Sequence, residues 1–278
     1  RILMAGVAGL AMACASGAAL ADAKGKKVLM VQSFAVHPYV AGIIKSFKAK
    51  AESYGMEVTV QAAGVDAALQ ARQFDDGVAR KFDLIIVQPV SEQAIVPALA
   101  RAKEAGIPVI ISNNTPKDGT DSLYLTFVGQ DQNEMGRIVG RQIVKSFKES
   151  GREGGKVALI TGALTEGLAQ GGLDGVYGMA DNLALAAIKA AEAAGVAVGS
   201  GPKQLLVFGG NCQKEGVDAL KAGKMVSSVS QIPTYVGDKL ADAANDLFSG
   251  KTLPKETLLP VELIDKANIG QWEGPCTY

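Results

Sequence analysis

The polar residues that follow this chain's apolar runs are mostly amides, hydroxyls and aromatic rings. Ser33, Phe34, His37 and Tyr39 follow "VLMVQ", Gln88 ends "DLIIVQ", and the pair Asn113-Asn114 ends "PVIISNN". In the second half the same positions hold Asp131, Asp181, Asn211 and Gln231. An amide carries a donor and an acceptor in one plane, which matches two adjacent hydroxyls of a sugar or polyol. An aromatic ring covers the C–H face that such a molecule also presents. Taken singly, Asn, Ser and Gln also end strands and cap helices without any ligand. The adjacent pair Asn113-Asn114 says more, because two amides at a buried edge both need partners.

The chemistry of catalysis is missing by comparison. There is one histidine, His37, so no histidine-rich metal site forms and little is left for a Ser/His/Asp triad. No Gly-x-Ser-x-Gly elbow occurs. "SGKT" at 249–252 has Asn245 where a phosphate loop needs its first glycine, and it follows a helix rather than a strand. The first strand is not followed by Gly-x-Gly-x-x-Gly, which disfavours a dinucleotide enzyme. No metal and no cofactor is expected, and the chain is read as a non-enzyme. Acidic and basic residues balance at 28 each, so nothing points to nucleic acid or an anionic membrane.

These residues need a frame that brings strand ends together. Apolar runs begin near residues 28, 57, 84 and 107, and amphipathic stretches lie between them at 38–55, 67–81 and 91–106. Strand and helix alternating at roughly 25-residue spacing is the pattern of βαβ units in a parallel sheet covered on both faces. The alternation restarts at 122–130 and runs through "KVALITG", "LDGVYG", "KQLLVFGG" and "MVSSVSQ" to "LLPVELID". The expected fold class is α/β, in two halves, each a parallel sheet flanked by helices. Ligands of such sheets bind beyond the carboxyl ends of the strands.

Residues 1–23 have no charge between Arg1 and Asp22 and end in Ala19-Leu20-Ala21, which reads as a secretory signal peptide cleaved near Ala21. Export leaves two cysteines, Cys212 and Cys276, an even count in a compartment that permits disulfides. A structural bridge is the expectation, with a reactive thiol as the less supported alternative.

The stretches "VLMVQSFAVHPYVAGIIKSFKAKAESYG", "FDLIIVQPVSEQAIVPALARAKEAGIPVIISNN", "FVGQDQNEMGRIVGRQI" and "VSQIP" together resemble the periplasmic sugar-binding proteins of ABC transporters, in the ribose-binding branch. The resemblance covers nearly all of residues 25–265. It implies two lobes joined by three crossovers near 127, 233 and 264. The lobes would be 24–126 with 233–263, and 127–232 with 264–278. It also implies a monomer that closes on one monosaccharide or polyol and delivers it to a membrane permease. Delivery to a chemoreceptor or signalling partner is the alternative. By position it assigns Ser33, His37 and Tyr39 to the first-strand loop, Asp131 to the first crossover and Gln231 to the hinge. Asn113-Asn114 stands where ribose binders carry an Asp-Arg pair, which favours a neutral polyol or a sugar other than ribose. Both cysteines then fall in the second lobe.

One place departs from the pattern. "KVALITG" reaches "LDGVYG" through ten residues, where the family has helix, strand and helix. Ten extended residues reach about 33–36 Å, enough to return for a parallel neighbour but with almost nothing left to cover the sheet. The alternative is antiparallel pairing of the second strand, which would carry Asp181 to the wrong end of the sheet. Either way the second lobe is expected to be thin.

Overall fold

A strand covered on both faces must be largely apolar, and four of the first five strands are of this kind. The computed structural model describes residues 23–161, 172–276 and 278. Strands β1 (Lys27–Gln32), β3 (Leu84–Val87), β4 (Val109–Ser112) and β5 (Thr126–Gln130) are buried almost throughout. With β2 (Glu57–Ala62) and β10 (Glu256–Leu259) they form a six-stranded sheet in the order β10-β5-β4-β3-β1-β2. Every pairing in it is parallel. Alternate residues go to opposite faces, so Val28, Met30, Leu84, Ile86, Ile110 and Val128 join one apolar cluster, and Leu29, Val31, Ile85, Val87, Val109 and Ile111 join another.

The helices follow from local chemistry. In α1 (Pro38–Ser53), Pro38 starts the first turn, where its missing N–H costs nothing, and Tyr39, Val40, Ile43, Phe47 and Ala51 make the buried stripe. The Asp66 carboxylate accepts from the amides of Ala68 and Leu69 at 2.8 and 2.9 Å and so opens α2 (Ala67–Ala79). The helix expected over 91–106 is shorter, α3 (Val96–Glu104). Pro97 has no N–H to give and its ring clashes with the carbonyl four residues back, so the helix can only begin beside it.

Two sheets confirm the α/β halves, with one boundary moved. The expected crossover near 127 lies inside β5, which pairs with β4 and β10. The chain therefore leaves the first sheet only after Gln130, entering α4 (Gln132–Glu149). The buried residues 126–130 complete the first core, and that burial fixes the boundary. The second sheet contains β6 (Val157–Ile160), β7 (Gly175–Gly178) and β8 (Leu206–Phe208), all parallel. Parallel bridges Phe208–Ser227 and Asn211–Ser230 extend it toward β9 (Ser228–Val229). Helices α5 (Asp181–Ala193) and α6 (Lys214–Lys221) pack beside it. The chain then returns to the first lobe as α7 (Pro233–Phe248) and β10, and comes back to pair β11 (Leu263–Ile264) antiparallel with β9.

The antiparallel alternative for "LDGVYG" is thereby removed: Val157 pairs Gly175 and Ile160 pairs Gly178 in parallel register. The connection at 162–171 and the signal-peptide region 1–22 lie outside the described residues. Among the described residues β6 has a neighbour on one side only, and Val157 and Leu159 are 37% and 60% exposed.

Helices α1 and α7 cover one face of the first sheet together, and Gly237 lets them touch. A Cβ on Gly237 would stand 2.6 Å from the Ile43 carbonyl oxygen and 2.7 Å from the Phe47 nitrogen, both backbone atoms that cannot swing aside. Gly237→Val is expected to cost about 2–3 kcal/mol through overpacking. Urea denaturation of both proteins checks this, and equal midpoints would show that the helices can separate freely.

Candidate functional site

The alternation that builds the core also decides what stands at its end. Val31 pairs Val87, and Val87 pairs Ile111, so the next residues, Gln32, Gln88 and Ser112, lie side by side. They continue the series Met30, Ile86, Ile110 and therefore face α1 and α7. Gln130 extends the row, two residues beyond Val128. All four are buried. Both amide atoms of Gln32, the Gln88 Oε1 and the Ser112 Oγ make no hydrogen bond within the protein. Buried polar groups are normally partnered, so this row has hydrogen-bonding capacity to spare.

Tyr39, in the first turn of α1, reaches down to the row. Its phenol donates to Gln130 Oε1 at 2.7 Å and stands 3.0 Å from Asn113 Oδ1. Complete burial raises its pKa, against the Gln130 bond that lowers it, so the proton stays on the phenol. Asn113 has φ of 60°, which asparagine tolerates better than most residues, and the amide of Asn114 turns back to the Ser112 carbonyl at 2.6 Å. That corner presents two neighbouring amides. Asn113 Nδ2 donates to Asn114 Oδ1, and Asn114 Nδ2 donates to the Pro89 carbonyl, each at 3.2 Å. Asn113, Asn114, Gln130 and Asp131 line an open pocket of about 480 Å³ with Pro89 and Phe127. No lysine or arginine lines it. Asp131 also caps α4, its carboxylate accepting the Glu134 amide at 2.8 Å.

The other expected residues are placed as follows. Ser33 is buried and its carbonyl accepts the Val65 amide, Phe34 is exposed, and Gln88 lends its carbonyl to Gln70 Nε2. His37 caps α1 by position. Burial lowers its pKa, outweighing the opposing influence of the Asn182 side chain on α5. Asn211 and Gln231 are both buried, at the ends of the bridged strands of the second lobe.

Asp181, expected among the ligand residues, has its carboxylate engaged inside the second lobe. The Gln213 amide and the Ser228 hydroxyl donate to it at 2.6 and 2.7 Å, and the amides of Gly210 and Cys212 also turn toward it. Gly209 and Gly216 wall it so closely that a Cβ on either would collide with it. The carboxylate therefore shapes the loop 209–213 that carries Asn211.

Sequence reasoning missed Gln32 and Ser112, although "MVQ" and "IVQ" end β1 and β3 alike and the period of two would have placed both glutamines on one face.

Burial pushes the Asp181 carboxyl up to about 7, against the donors that lower it. A folded-state pKa above the unfolded value means the native chain keeps a proton that the unfolded chain has lost. Stability from this group is full below about pH 4 and falls as pH rises to about 7. His37, with its lowered pKa, acts in the opposite sense below its ordinary value of 6.5. Comparison with Asp181→Asn isolates the carboxyl, since His37 is common to both. The variant is expected to lose about 2–4 kcal/mol near pH 5 by turning an amide N–H₂ toward donors, and to lose less at pH 8. Chemical denaturation at the two pH values tests it, and a constant difference would show that Asp181 keeps one charge state throughout.

A family model described as "Periplasmic binding protein domain" matches this chain in two stretches, residues 28–170 and 163–252, which meet inside the short join. The ribose import binding protein of Bacillus subtilis is 23% identical over 267 residues, covering 82% of this chain and 83% of that protein. A putative rhizopine-binding protein of Rhizobium meliloti is 27% identical over 267 residues, covering 79% and 83%. In both, the aligned length exceeds the part of this chain that enters it, so those relatives carry segments with no counterpart here. In fold, an ABC transporter solute-binding protein of Bacillus halodurans solved with myo-inositol is similar at a TM-score of 0.79, with 23% identity over 91% of this chain and 99% of that one.

Proposed function

This chain belongs to the periplasmic binding protein family, and from that premise we propose that it captures one uncharged monosaccharide or cyclic polyol between its lobes. The observation that carries the proposal is the set Tyr39, Asn113, Asn114 and Gln130, hydrogen-bonded at the mouth of a pocket that no basic side chain lines. Adjacent hydroxyls match those amides in geometry, and the buried row beneath, Gln32, Gln88 and Ser112, offers further donors and acceptors. Sugar phosphates and sugar acids find no counter-charge there, and burying an unpaired anion is costly. Ribose and myo-inositol, named with two of the three reported relatives, are neutral polyhydroxylated molecules, which supports the same class. The bound form is handed to the permease of an ABC transporter, in the periplasm, by a monomer whose two lobes have closed.

A thermal melt with myo-inositol, D-ribose, D-allose, glycerol and D-glucuronate tests the class. A neutral compound at a hundred times its dissociation constant is expected to add about 2.7 kcal/mol, several degrees in the midpoint, and glucuronate none. Tyr39→Phe and Asn113→Ala are expected to weaken that ligand about tenfold each. A shift with glucuronate alone, or none with any neutral compound, would overturn the reading.

A further inference from the structure

Tyr278 touches both lobes at once. Its phenol oxygen bonds two backbone carbonyls, that of Asn211 and, at 2.8 Å, that of Gln231. Its ring stands 6.4 Å from that of Tyr39, tilted by 53°, and packs on the apolar cluster beneath α1 and α7. Tyr39 belongs to the first lobe and Asn211 to the second. Gln231 lies just before α7, where the chain crosses back. Burial raises the Tyr278 pKa, so the phenol remains a donor and its one proton is shared between two acceptors.

Two residues earlier, Cys276 is joined to Cys212, the neighbour of Asn211, with their Cα atoms 5.2 Å apart. Asn211 and Cys212 have φ of 82° and 61°, a left-handed corner that residues other than glycine rarely adopt. Such corners persist only where the surroundings impose them. Here three groups do so: the Asp181 carboxylate from below, the disulfide at Cys212, and the Tyr278 phenol at the Asn211 carbonyl.

We propose that Tyr278 is a positioning residue of the binding site. By holding the carbonyls of Asn211 and Gln231 it orients the two second-lobe amides toward the ligand, and the Cys212–Cys276 disulfide keeps it in place. Dithiothreitol then lowers ligand affinity while leaving the first lobe folded. In that step two electrons from dithiothreitol break one S–S bond, two cysteine thiols form, and dithiothreitol closes its own ring disulfide. The affinity part of this inference rests on the sugar-binding reading, whereas the ordering of the corner does not.

The test uses the whole protein as wild type, Tyr278→Phe and Cys212→Ser/Cys276→Ser, with myo-inositol and D-ribose as probes in calorimetry. Amide hydrogen exchange of 209–213 and 230–231 is measured without ligand. Tyr278→Phe keeps the ring and loses the phenol. It is expected to weaken the bound probe about fivefold to tenfold, with a melting midpoint within about two degrees of wild type. Exchange at 209–213 is expected to quicken at least about fivefold in Tyr278→Phe, and also in wild type under dithiothreitol, while β1 and β3 stay protected. Dithiothreitol added to Tyr278→Phe is expected to do less than it does to wild type, since both act on one corner. Exchange at 209–213 equal to wild type in Tyr278→Phe would overturn the proposal, as would unchanged affinity for a probe that wild type binds. If wild type binds neither probe, the affinity arm is read with whichever neutral compound shifts the melt, and the exchange result decides by itself whether Tyr278 orders the corner.

Discussion

The site depends on one constraint, the end of burial on a parallel strand. Within the first sheet β1, β3 and β4 are covered on both faces and must be apolar, so polarity can return only at their carboxyl ends. Because the three strands are in register, it returns at the same level on each, at Gln32, Gln88 and Ser112, on the face that α1 and α7 cover. On β5 that level is held by Val128, and polarity returns two residues later at Gln130. The first turn of α1 then lies over a polar row rather than a core, and Tyr39 is the side chain long enough to join the two. Any ligand that enters meets amides and hydroxyls that the sheet has already ordered, so little entropy remains to be lost on binding.

The second lobe solves the same problem differently. Its strands are short, three residues in β8 and two in β9, and cannot order a row of side chains by register alone. Order comes instead from a buried carboxylate. Asp181 gathers the amides of the 209–213 loop and the Ser228 hydroxyl, and glycines at 209 and 216 leave room for it. A buried carboxylate is costly unless such donors surround it, so loop and acid require each other. Asn211 is held by its backbone, and its side-chain amide is left for other work.

Periodicity and punctuation made the fold legible. Strand starts and helix stripes are local signals that gave the α/β halves, and the even cysteine count gave the pairing of Cys212 with Cys276 once export was inferred. The site was legible only in part. Asn113 and Asn114 announced themselves by adjacency, and Tyr39 by its place after the first strand. At Asp181 an acid at a strand end reads the same whether it faces a ligand or its own loop, and only the surrounding donors show that the loop engages it. The crossover near 127 was drawn too early because burial of 126–130 in the first sheet depends on β10, more than a hundred residues later. Tyr278 reaches the cleft through a disulfide and a long return of the chain, which no periodicity encodes.

The short join between β6 and β7 bears on function through geometry. The strand order β6-β7-β8, extended through the bridges toward β9, puts β6 at the far edge of the second sheet. Asn182 follows β7, Asn211 follows β8 and Gln231 follows β9, all away from that edge. Their supports, Asp181 and the Cys212–Cys276 bridge, also lie there. Val157 and Leu159 of β6 are exposed to water, which lowers the stability of that edge. The loss falls on packing that is not shared with the loop 209–213, and effects at sites without common partners are largely independent. A lobe shortened at this edge can therefore be less stable and still hold its half of the cleft in place, because the hinge-side loops are fixed by a carboxylate, a disulfide and a phenol rather than by the breadth of the sheet.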